Sequence, residues 1–332
     1  MSDAKSAVIF ALPLDKKKIR SFLSKELPNG KIDHELDNIQ VNVNAYKMAK
    51  DVAQILKKEG YNSEVIFPNF KYRTDVEGWQ MKMYPELALR YLAARAGVGS
   101  IGWSGNIGIK GYGTTVILGG LVTSAELKPT DPIPSNESFC IQCKLCTKVC
   151  AFGMFSNEHS EEITLGGHKF SYAKRINVMR CQIVCGGLSG LDKTKKWSTW
   201  SPGRFPYPET EDQVRRIFSY ALLKTPKRPS GTNYNNNFDV SQLDDDVRVT
   251  DLNTGEDLSK VMLKGVNLTC GNCQLICWGD LKETKRNYDI LTSSGCVIEH
   301  PDGNIEILRS DQAKTQFNEF PSKHKQLYYK EF

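Results

Sequence analysis

Two runs of cysteine carry the chemistry that this sequence can do. The first is Cys140-x2-Cys143-x2-Cys146-x3-Cys150, and the second is Cys270-x2-Cys273-x3-Cys277. The 2-2-3 spacing is that of bacterial ferredoxins, in which three closely spaced thiolates wrap three corners of a cubane. The fourth cysteine turns away and ligates the other cluster. The second run is a partner with two close cysteines and a third that crosses over. One [4Fe–4S] cluster would then take Cys140, Cys143, Cys146 and Cys277. The other would take Cys150, Cys270, Cys273 and one more cysteine, with Cys181, Cys185 and Cys296 all open to that role. A structural zinc site more often uses two spaced pairs, so the four-cysteine run favours iron–sulfur. Ala151 stands where a proline commonly follows the fourth cysteine, and Trp278 follows Cys277. Neither position is a ligand.

A second signal lies upstream. Nine glycines fall between Gly97 and Gly120, and Gly97-Val98-Gly99-Ser100-Ile101-Gly102 matches the dinucleotide fingerprint G-x-G-x-x-G. That fingerprint must follow a strand and open a helix. Here it follows a helical pattern, and Trp103 to Gly113 does not read as a helix. Backbone lying against a large flat ligand fits the segment better, since glycine permits close approach and unusual dihedrals. A glycine-rich turn between packed elements is the plainer alternative.

The elements that must position these residues follow from hydrophobic periodicity. Residues 6–12 read as a buried strand closed by Pro13. Val41 to Glu59 has a helical period with Gly60 as its stop, and Ser63 to Phe67 reads as a second strand. A helix is expected from about Pro85 to Ala96, capped by Gly97. A strand follows from Thr114 to Val122, then a linker with Pro129, Pro132 and Pro134. Residues 200–250 read as a loop-rich excursion with one helix, Glu211 to Leu223. Gly295 to Glu299 and Asn304 to Leu308 read as closing strands. The basic runs at Lys16 to Lys18 and Lys193 to Lys196 read as solvated faces.

The 332 residues are 40% hydrophobic and 25% charged, with formal net charge +6, as expected of a globular chain with two modest domains. That balance permits nucleic-acid contact without arguing for it. No apolar run approaches the ~20 residues of a membrane span, and the N-terminal residues lack a leader pattern. The expected setting is the cytoplasm, where ten cysteines are metal ligands or free thiols rather than disulfides.

With both signals in hand, the chain resembles the corrinoid-dependent reductases, namely epoxyqueuosine reductases and reductive dehalogenases. The resemblance covers roughly Gly60 to Phe155 and returns near Cys181 and at Gly271 to Trp278. It rests on four features in order. They are Ala93-Ala94-Arg95-Ala96-Gly97-Val98-Gly99, the apolar run ending Leu121-Val122-Thr123, the Cys140 run, and Cys270-Gly271-Asn272-Cys273-Gln274-Leu275-Ile276-Cys277. The resemblance implies an α+β fold, with a nitroreductase-like corrinoid-binding domain at residues 1–134. A ferredoxin-like double-cluster module would follow at 135–290, with an insertion at about 186–262, and residues 291–332 would pack back on the core. It implies Cys181 as the eighth ligand, leaving Cys185 and Cys296 spare. It also implies a base-off cobalamin without a protein histidine ligand, contacted by Gly97, Gly99, Ser100, Gly102, Trp103, Asn106, Gly111, Gly113 and Thr114.

The departures concern the chemistry above the corrinoid. Met83 stands where epoxyqueuosine reductases carry an acidic proton donor, and Trp103 stands where both families carry a basic residue. The helical-repeat extension of the longer epoxyqueuosine reductases has no counterpart here. Tyr61, Tyr84 and Tyr112 are the candidate proton donors, a phenol being a side chain that carries its proton at neutral pH. The expected function is a reductase drawing single electrons from a low-potential donor such as ferredoxin or flavodoxin. Its substrate would be a small molecule or nucleoside; tRNA is not favoured, because no basic substrate face can be located. The alternative is a non-catalytic electron carrier or corrinoid-reducing protein.

Overall fold

The computed structural model describes residues 1–27, 29–66, 73, 75–78, 84–85, 87–224 and 268–325. Phe67, Met83 and residues 225–262 of the expected insertion lie outside them. In chain order the elements begin with β1 (Ser6–Pro13), α1 (Lys16–Ser24), α2 (Gly30–Lys58), β2 (Ser63–Ile66) and α3 (Leu89–Arg95). The short strands β3 (Ser100–Ile101) and β4 (Ile107–Gly108) precede β5 (Val116–Thr123). The cysteine region contains α4 (Leu145–Lys148), β6 (Phe155–Leu165), β7 (His168–Arg175), α5 (Val178–Cys185) and α6 (Glu211–Lys224). After it come α7 (Asn272–Leu275), α8 (Leu281–Ser293), β8 (Cys296–Glu299), β9 (Ile305–Leu308), α9 (Ser310–Glu319) and α10 (Ser322–Lys325).

The chain is a mixed α/β protein in which every described strand pair is antiparallel. Its main sheet has the order β1-β5-β2, with Ser6 opposite Thr123 and Ser63 opposite the same Thr123 on the other side. The apolar run of β5 is continuous because both of its faces are covered, Leu121 packing with Ala49 and Ala53 and Leu118 with Ala93, Ala94 and Ile107. Helix α2 covers this sheet through Ala49 and Ala53 against Leu121. It starts eleven residues before the expected Val41 (41 − 30 = 11), because the polar first turns still bury Lys31, His34 and Glu35. Lys31 and Glu35 form a buried i,i+4 ion pair at 2.6 Å, which adds local support to that end. Helix α3 begins at Leu89 rather than Pro85, and Pro85 makes an isolated bridge instead.

The largest core crosses the boundary drawn at residue 134. Helix α1 is capped by the Asp15 carboxylate, which accepts from the Lys17 and Lys18 amides at 2.7 and 3.2 Å. Its three lysines lead into Ile19, Phe22 and Leu23, spaced to face one side. These join Val149, Phe152, Ile183, Trp200, Phe205, Val214, Ile276 and Leu291 in one cluster. Trp200 is 2% exposed and donates its indole N–H to the Phe22 carbonyl at 3.0 Å. Burying a side chain of that size contributes on the order of 3 kcal/mol. The start of the expected loop-rich insertion is therefore core, and it locks the N-terminal helix onto the cysteine region.

Candidate metal centre

Each cysteine run is shaped by residues in the left-handed region. Gln142 (φ 55°) and Lys144 (φ 60°) alternate with the first three cysteines, and Gly271 (φ 114°) follows Cys270. A non-glycine residue there costs energy and marks a loop held by its surroundings. Such turns direct successive backbone N–H groups toward a common centre. The Trp103 amide donates to Cys140 Sγ at 3.3 Å, and the Met154 amide donates to Cys150 Sγ at 3.2 Å. Backbone N–H groups of Gly271 and Asn272 favour the Cys270 thiolate and that of Gly279 the Cys277 thiolate, while the Thr114 amide donates to the Cys277 carbonyl at 2.9 Å.

Cys140, Cys143, Cys146 and Cys277 line one pocket together with Trp103, Thr114 and Asp280. Cys277 belongs to the second run, so the two motifs interlock. Burial, reinforced by Cys277, Cys273 and Cys140 nearby, pushes the Cys146 thiol up to about 12. Cys150, Cys181, Cys270 and Cys273 form the other group. Cys150, Cys181 and Cys273 meet at a small core of Met154, Phe155 and Ala173. Burial raises Cys150, with the Cys270, Cys273 and Cys181 thiols adding to it. Cys273 is pushed up to about 12 by burial first, and Cys270 is drawn down to about 7 by the Cys185 thiol that donates to it.

Among the described residues no three His, Cys, Asp or Glu side chains converge as a single-ion site. Two buried donors lack an acceptor at these groups: the Trp103 indole N–H in the wall of the first, and the Asn272 amide between Cys270 and Cys273. The sulfides of an iron–sulfur cluster are acceptors that would satisfy both. The residues present fit two clusters.

The nine residues expected to contact a corrinoid divide between two roles. A Cβ on Gly97 would lie 2.2 Å from the Asp131 carbonyl, one on Gly99 2.7 Å from the Gly108 carbonyl, and one on Gly102 2.7 Å from the Phe139 ring. On Gly113 it would lie 2.1 Å from the Cys277 carbonyl. Thr114 donates its hydroxyl to the Gln274 carbonyl at 2.5 Å, and Asn106 donates to Cys273 Sγ at 3.7 Å. These residues dock the glycine segment onto the cysteine loops. Gly111 meets nothing within 4 Å. The segment follows a helix and opens the β3–β4 pair, so the dinucleotide geometry is absent from it.

Gly99, Ser100 and Trp103 also line a cavity of about 420 Å³ beside Cys140, with Ser138, Gln142 and His168. That volume is within the ~300–1,000 Å³ of sites for drug-sized ligands. Tyr61, Tyr84 and Tyr112 are 45–49% exposed, and none lines either cavity. A different aromatic pair is partly buried in the fold. Tyr91 and Tyr172 share a hydroxyl hydrogen bond at 3.2 Å, and burial with that bond pushes Tyr172 up to about 12. The Arg175 guanidinium packs on Gly105 beside Tyr172, and Arg90 donates to the Gly105 carbonyl at 3.1 Å. Sequence spacing hides this group, because Tyr91 and Tyr172 are 81 positions apart.

Comparison with known protein families and with curated proteins found no match. Among the described residues, no helix is long and apolar enough to cross a membrane.

Proposed function

We propose that this chain is an iron–sulfur oxidoreductase that holds two [4Fe–4S] clusters and passes single electrons to a ligand bound beside Cys140. One observation carries the proposal: Cys277 of the second motif stands in the same pocket wall as Cys140, Cys143 and Cys146 of the first. Free thiols and zinc pairs do not need that exchange; a two-cluster ferredoxin arrangement does. An iron–sulfur cubane accepts and releases one electron at a time without a proton or hydride. The chain's own part is to hold eight thiolates, donate backbone N–H groups to their sulfurs and exclude water from the second group.

The acceptor named by the resemblance is a base-off corrinoid, with Gly99, Ser100 and Trp103 on one of its sides. The cavity beside Cys140 supports that reading. Tyr172, buried and hydrogen-bonded to Tyr91, joins the three exposed tyrosines as a candidate phenol, although burial and that bond make it the weaker acid. A second reading, a two-cluster electron carrier, is favoured by the glycines whose missing side chains are replaced by the protein's own atoms. Anaerobic purification with cobalamin present separates the two. About eight irons and about one cobalt per chain, with a base-off Co(II) signal, support the reductase. About eight irons without cobalt support the carrier, and fewer than about four irons overturn both.

A further inference from the structure

The cysteine that the resemblance leaves spare is not remote from the metal centre. Cys181 and Cys185 occupy successive turns on one side of α5, and their sulfurs stand 3.4 Å apart. Cys185 also hydrogen-bonds to Cys270, so its thiol touches two members of the second group. The residue as a whole is exposed, which leaves this thiol on the solvent side of the group. Cys296, the other spare cysteine, lies elsewhere. It packs against Ile298, Ala313 and Phe320, and its Sγ faces the Lys195 carbonyl at 3.6 Å.

We propose that Cys185 is a fifth thiol of the second cluster, able to replace Cys181 as its fourth protein ligand. The inference rests on the two-cluster reading above. In the exchange, the iron–sulfur bond to Cys181 breaks and one to Cys185 forms. The proton moves from the Cys185 thiol to the departing Cys181 thiolate, and no electron changes hands. Helical spacing makes this inexpensive, since residues at i and i+4 lie on the same face and either sulfur can serve without unwinding the helix. The arrangement gives the more exposed edge of the cluster a reserve ligand against loss of iron.

The test compares wild type with Cys181→Ser, Cys185→Ser and the double variant after anaerobic reconstitution. Circular dichroism of the apoproteins checks that each folds. Iron is counted, reduced samples are examined by EPR, and protected cysteines are mapped by alkylation and mass spectrometry. Each single variant should keep about eight irons, with an altered EPR line shape in Cys181→Ser, and the double variant should fall to about four. Alkylation should label Cys185 in wild type and spare it in Cys181→Ser. Loss of about half the iron in Cys181→Ser alone, or labelling of Cys185 in that variant, overturns the inference while leaving the two-cluster reading intact. Wild type that takes up no iron overturns both.

Discussion

The two thiol groups use the same ligand chemistry in opposite surroundings. The first, around Cys140, is borne by a loop, opens beside a cavity and has Asp280 and Lys144 in its wall. The second, around Cys273, has arginines packed close to it. Arg175 packs on Gly105, whose neighbour Asn106 donates to Cys273, and Arg90 is bonded to the Gly105 carbonyl. Lys25, 5% exposed, bonds Ser294 at 2.5 Å near Cys270 and Cys296, and burial lowers its ammonium to about 7, so its charge is partial at neutral pH. Neither arginine forms an ion pair with a carboxylate among the described residues. Buried positive charge without an acidic partner stabilises an added electron. On the two-cluster reading, this difference predicts a higher midpoint potential for the second cluster than for the first.

The largest test of this contrast is Gly113→Ala. Its Cβ would strike the backbone of Cys277 and Gly279 at a residue with φ +63°. A cost on the order of 3 kcal/mol is expected in denaturant unfolding of the apoprotein. Iron should be lost from the first site and kept at the second, and equal loss from both would break the contrast.

Reactivity with pH distinguishes the groups next. In the apoprotein, the Cys270 thiol sits at about 7 and Cys146 at about 12. Lowering a thiol's pKa extends the thiolate to lower pH, so Cys270 gains reactivity as pH rises through 7 while Cys146 stays protonated. Iodoacetamide at pH 8 should label Cys270 about a hundredfold faster than Cys146, after allowing for the weaker nucleophilicity of the more acidic thiol. Equal rates would remove the asymmetry.

Arg175→Met removes one of the flanking charges. At roughly 10 Å and an effective dielectric constant of about 20, that lowers the second cluster's midpoint by on the order of 70 mV and leaves the first nearly unchanged. An EPR-monitored redox titration reads both. Asn106→Leu deletes only a long amide-to-sulfur hydrogen bond, so the same titration should show a smaller downward shift.

Much of this centre was legible in the primary sequence because its ligands are encoded by short spacings. Cys140, Cys143 and Cys146 lie in one pocket with Cys277, as the crossing rule requires. Strands β1, β2 and β5 are legible for a similar reason, since each is a short apolar run. Other features were not. Helix α1 hides Ile19, Phe22 and Leu23 behind three lysines. The β6–β7 hairpin is a two-stranded ribbon whose outer stretch is largely exposed on both faces, so it has no apolar alternation. Its one local signal is Gly166-Gly167, both with positive φ at the turn. The glycine segment reads as a ligand cradle from sequence, which does not reveal that Phe139, Asp131 and Cys277 fill part of the space its missing side chains leave. The Arg90, Tyr91, Tyr172 and Arg175 group is assembled only by the fold.

The most direct measurement is the iron content and Mössbauer spectrum of anaerobically reconstituted wild type beside Cys277→Ala. Interlocked motifs predict about eight irons in wild type and about four in the variant, with the remaining cluster's potential still sensitive to Arg175→Met. A variant that keeps about eight irons, or a wild type that binds zinc in place of iron, would contradict the account.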